Sequence, residues 1–110
     1  MMKPQLSVAA SGLLRAILAR TGVDRDRILI CNWASVDWQS LTFVGERHEA
    51  CFRITGPCAG RIVAMIADGL EDADFAIPGQ IVADIALAEP PAPQPDGSIL
   101  VTIEALTVGE

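Results

Sequence analysis

Seventeen consecutive residues at 28–44, ILICNWASVDWQSLTFV, carry a single charge, Asp37, and are otherwise rich in β-branched, aromatic and aliphatic side chains. Such residues favour extended chain, because they pack well on a pleated, half-buried surface. Strands in globular proteins average about 5–6 residues, so this run has to bend or divide, and Ala34–Asp37 is the expected place. A sheet is therefore the element around which the rest of the chain must be arranged.

The flanking patterns supply the other elements. Gly45-Glu46-Arg47 offers a reversal and HEACFRIT alternates after it, so Leu41–Val44 and His48–Ile54 are expected to pair as a hairpin. Leu6, Ala10, Leu13, Leu14 and Ile17 recur at helical spacing, which predicts a helix over 6–20 ended by Thr21-Gly22. A second helix is expected from Pro57, a residue suited to the first helical position, to Ala67 or Asp68, with Ile62, Val63, Ile66 and Leu70 inward. QIVADIALA and SILVTIEALTV read as two further strands joined by the proline-rich EPPAPQPDG. The order α-β-β-α-β-β implies an α+β two-layer sandwich: one mainly antiparallel sheet with two helices on one face, in a single domain covering 1–110. RAILARTGVDRD and RIVAMIADGLEDAD share an arginine, an apolar helical pattern, a glycine and an acidic turn, a likeness too short to carry weight by itself.

Size and charge bound the function. A chain of 110 residues buries roughly 60–68% of the surface its unfolded form exposes, and 51% hydrophobic residues with a mean hydropathy of +0.38 exclude general disorder. The net charge of -6 opposes phosphate backbones and anionic membranes, so neither nucleic acid nor membrane is an expected partner. Lys3 and the apolar residues after it invite comparison with a secretory signal, but Arg15 interrupts the run and Ser7, Ser11 and Arg15 recur as a helical polar stripe. No apolar run approaches the ~18 residues of a membrane span. Three cysteines form no disulfide framework, and a reducing cytoplasm is the expected compartment.

His48, Cys51 and Cys58 lie close in sequence and raise the question of a shared site. On a regular strand His48 and Cys51 point to opposite faces, which prevents joint ligation of one metal. Cys58 falls near the second position of the predicted helix, where free N–H groups can stabilise a thiolate, so it is the candidate nucleophile; the bland alternative is a small, buried and inert cysteine. His48 is the candidate base, as imidazole titrates near neutrality. Cys31, Cys51, Cys58 and His48 match no familiar zinc spacing, and Asp68, Glu71, Asp72 and Asp74 lack the order of a calcium loop; no metal and no cofactor are expected. Trp33, Asp37 and Trp38 could contact a flat ligand, but five residues apart the two indoles face opposite sides unless a bulge at Ala34–Asp37 reunites them.

Two functions follow as expectations. The first is a non-catalytic interaction module that self-associates, because both faces of the last two strands are substantially apolar. A homodimer, sheet against sheet or edge to edge, is expected with Leu100, Leu106 and Val108 near the contact. The second is a small enzyme using Cys58, helped by His48 or Asp37 across a subunit boundary.

Overall fold

The structure, a computed structural model, describes residues 6–110, so Lys3 and the first residues of the stretch compared with a signal lie outside the described residues. Helix α1 (Val8–Thr21) starts where the Ser7 hydroxyl accepts the Ala10 amide at 3.1 Å and stops at Gly22, whose φ of 63° closes the helix in the left-handed region. Strands β1 (Ile28–Gln39) and β2 (Val44–Ile54) follow, then α2 (Ala59–Ala67), β3 (Gln80–Leu87), a two-residue β4 (Ala92–Pro93) and β5 (Ile99–Gly109). One-turn 3-10 helices at Arg25–Arg27 and Leu70–Asp72 follow α1 and α2.

All strand pairs are antiparallel, in the order β1-β2-β5-β3, and β4 continues the line of β3 along β5. The helices pack on one face of this sheet. Leu13, Ile17, Ile62 and Ile66 meet Phe52, Ile54, Val101 and Ile103 in one apolar cluster in which every one of these side chains is at most 2% exposed. Each contributes about 1.5–3 kcal/mol by leaving water. The expected α+β sandwich is therefore the architecture observed, with β4 as an addition. Among the described residues no helix is long and apolar enough to cross a membrane.

Several boundaries differ from the reading of the sequence. The long apolar run neither divides nor bends at Ala34–Asp37: β1 is continuous to Gln39, and its irregularity is a bulge at Cys31, between the pairs Ile30–Phe52 and Asn32–Cys51. The hairpin turns at Ser40–Phe43, not at Gly45–Arg47. Ser40 closes it twice, its amide donating to the Phe43 carbonyl at 2.9 Å and its hydroxyl accepting the Phe43 amide at 3.1 Å. Gly45 instead lies inside β2, where an added Cβ would stand 1.9 Å from the Thr107 carbonyl oxygen.

Helix α2 begins two residues later than expected. Pro57 and Cys58 precede it, and Cys58 takes a left-handed conformation with φ of 65° that a non-glycine residue rarely adopts. In β3 a bulge at Ala83 puts Val82, Ile85 and Leu87 opposite Thr107, Ala105 and Ile103, on the helix side, and turns Ile81 outward. The strict alternation that joined Ile81 to Ile85 and Leu87 is thereby broken.

Candidate functional site

Antiparallel pairing of β1 with β2 sets Trp33 against Ala50, Ser35 against His48 and Asp37 against Glu46, all on the helix side of the sheet. At this end of the hairpin the start of α1 covers the strands only partly. An open cleft of about 430 Å³ remains, with Ser7, Trp33, Ser35, Asp37 and Glu46 in its lining.

Behind the cleft His48 is buried at 3% exposure and held at both ring nitrogens. Its Nδ1 lies 2.7 Å from Ser35 Oγ and its Nε2 2.9 Å from Thr107 Oγ1. Trp33 Nε1 donates to the same Ser35 oxygen at 3.0 Å, and the indole meets the imidazole edge-on with centroids 6.0 Å apart. Thr107 is wholly enclosed, so its hydroxyl must be hydrogen-bonded, and Nε2 is its side-chain partner. Glu46 Oε1 stands 4.0 Å from Nδ1, on the Ser35 side of the ring. Ser35 Oγ thus bridges the two rings, accepting the indole N–H and sharing a hydrogen bond with the imidazole.

This arrangement differs in one respect from a nucleophile, base and carboxylate in line. The carboxylate lies beside the nitrogen that meets Ser35, whereas in a relay it would orient the ring from the opposite nitrogen, which here meets Thr107. Burial lowers the affinity of His48 for a proton, with Glu46 opposing, so the neutral ring is the resident form. Glu46 is itself engaged, accepting the Ser7 hydroxyl at 2.7 Å and so tying β2 to the cap of α1. The cleft is lined by the Ser7 and Ser35 hydroxyls and by two facing carboxylates, Asp37 and Glu46.

The other candidate residues are dispersed. Trp38 pairs with Gly45 and faces away from Trp33, so the two indoles form no platform. Cys58 is exposed, contrary to the buried position that its size suggested, because the left-handed turn holds it outside α2. Six residues of strand separate His48 from Ile54, the end of β2 nearest Cys58, a span of roughly 20 Å; the structure does not bring this histidine and this thiol together. Cys31 and Cys51 lie across the sheet from His48, and among the described residues no group of three or more His, Cys, Asp or Glu side chains is placed to hold a metal ion. Leu100 and Leu106 are half-buried and Val108 is buried, on the face of β5 turned away from the helices. That face also carries Arg47, Glu49, Arg53 and Glu104, with Glu49 directly opposite Glu104.

Ser7, Ser35, Glu46 and Thr107 complete the site and were not singled out in the sequence. The signal was available in the hairpin register: a turn at Ser40–Phe43 pairs Ser35 with His48, whereas a turn at Gly45–Arg47 does not. A scan against protein-family models finds no match to the chain, and a search of curated proteins finds no match either.

Proposed function

We propose that the protein is a non-catalytic, homo-oligomeric interaction module that associates edge to edge through β1. The observation that carries this reading is the character of that edge. β1 is twelve residues long, roughly 40 Å at the usual strand rise, is bordered by β2 on one side only, and contains one charge and no proline. Strand edges of soluble proteins are ordinarily blunted by lysine, proline or interruption. The opposite edge is so treated: β3 is shorter, at eight residues, and is followed by Pro90, Pro91 and Pro93.

Side chains along β1 support the same choice. Leu29, Ile30 and Val36 are 46%, 41% and 60% exposed, and Leu41, Phe43 and Val44 continue the apolar surface round the hairpin. Pairing of two β1 strands about a two-fold axis would satisfy the free backbone groups of both edges and shield this surface. Sheet-on-sheet packing over Leu100 and Leu106 is less favoured, since it would bury Arg47, Glu49, Arg53 and Glu104. In the enzyme alternative Cys58 stands apart from His48, the chain's single histidine. A cytoplasmic setting belongs to this reading, as three unpaired cysteines suit a reducing compartment.

Light scattering on a sizing column at micromolar concentration is the test, with a dimer mass expected and a strictly monomeric mass overturning the proposal. Ala34→Lys with Val36→Lys should weaken the dimer at least about tenfold, or about 1.4 kcal/mol. Leu106→Asp should leave it intact; the reverse pattern would move the contact to the sheet face.

A further inference from the structure

Two of the three cysteines are brought together by a feature that neither the core nor the cleft uses. Cys31 is the extra residue of the β1 bulge, so Cys31 and Asn32 together oppose Cys51 on β2. Cys31 stands next to the registered pair Asn32–Cys51, for which the usual Cα spacing is about 4.5–5.5 Å, and a disulfide tolerates roughly 4.4–6.8 Å. Both thiols are free and on the face of the sheet without helices, where Cys31 is exposed and Cys51 half-buried. Arg53, two residues beyond Cys51 on the same face, completes the cluster.

The electrostatics agree with this proximity. Desolvation raises the Cys31 thiol above its ordinary range, the Cys51 thiol beside it adds to the rise, and the Arg53 guanidinium pulls the other way. Cys31 is therefore favoured as the thiol, with the Arg53 guanidinium placed to stabilise its thiolate when the proton leaves. Within one chain β1 is bonded to one neighbour only, so a movement of Cys31 towards Cys51 disturbs no second intramolecular ladder. Cys58, on its turn before α2, has no such partner strand.

We propose that Cys31 and Cys51 form a redox pair that closes into an intramolecular cross-strand disulfide by exchange with a low-molecular-weight disulfide. The Cys31 thiolate attacks one sulfur of the small disulfide, forming a mixed disulfide and releasing the first small thiolate. The Cys51 thiolate then attacks Cys31 Sγ and releases the second. The two protons lost by the cysteines are taken up by the two small thiols, the protein dithiol is oxidised by two electrons, and the small disulfide is reduced by two. The bridge lies on the sheet face and leaves the β1 edge unobstructed, so it is independent of the edge-to-edge dimer.

The test treats the full chain with glutathione disulfide and follows it by intact mass and non-reducing peptide mapping. The expected product has lost two hydrogens, keeps one titratable thiol at Cys58, and yields a single bridged peptide pair containing Cys31 and Cys51. Cys58→Ser should form the same bridge, and Cys51→Ser, with an unchanged far-ultraviolet dichroism spectrum, should stop at a stable glutathione adduct on Cys31. Stable adducts on both Cys31 and Cys51 of the unmodified chain, a bridge that includes Cys58, or a disulfide joining two chains would each overturn the proposal.

Discussion

His48 is the chain's single histidine, so any titration of a side-chain imidazole belongs to it. In the unfolded chain it takes up a proton near its ordinary value of about 6.5, while in the fold burial holds it neutral to lower pH. Below that ordinary value the unfolded state therefore binds more protons, and stability falls as pH falls until the folded ring also protonates. Urea midpoints should accordingly drop between about pH 7 and pH 5, and His48→Gln should flatten that slope; equal slopes in the two proteins would contradict the assignment. Asp96 is also shifted, downward through its bonds to Ser98, but it acts only in the more acidic range where carboxylates protonate. Alternation was enough to put His48 on one face with Ala50, Phe52 and Ile54, because a strand's period of two fixes side without reference to any neighbour. Its hydroxyl partners were hidden, since Ser35 and Thr107 reach it only through the pairing of β2 with both β1 and β5.

At Gly45 the backbones of β2 and β5 leave no room for a side chain, and this contact explains a glycine that had looked like a turn residue. The φ of Gly45 is not positive; the need is for space, as a methyl there would meet Thr107 backbone. Gly45→Ala should lower stability by about 1–3 kcal/mol, the usual range for overpacking. Gly60→Ala, in α2 with open surroundings, should be neutral or stabilising by up to about 1 kcal/mol. Urea denaturation of both variants checks the contrast, and equal effects would remove the steric account. Element type was legible here wherever periodicity ran unbroken, as in α1, α2 and β5. It misled where a local device interrupts the period: the Ala83 bulge turned Ile81 out and Val82 in, and the left-handed Cys58 put outside α2 a thiol assigned to its first turn. Neither device has a composition of its own, so neither could be seen before the strands and loops were placed.

The whole molecule repeats itself. Each half runs helix, left-handed glycine, one-turn 3-10 helix, edge strand and central strand, with Gly22 and Gly69 at corresponding places. Each edge strand carries one bulge, at Cys31 in β1 and at Ala83 in β3. The sheet order β1-β2-β5-β3 sets these halves back to back about the β2–β5 ladder, and the short likeness between RAILARTGVDRD and RIVAMIADGLEDAD marks their matching helices and turns. Because the ladder joins the halves through ten registered pairs and the core crosses it, connection through the loop at Thr55–Pro57 is a convenience rather than a structural requirement. Two separate polypeptides, 1–56 and 57–110, should therefore find each other when co-expressed and purify as a one-to-one complex through a tag on either piece, while Phe52→Ala in the first should abolish capture of the second. Recovery of either fragment alone would show that the covalent link is indispensable; recovery of both would make this chain a small split protein whose reassembly can report on whatever is fused to its two pieces.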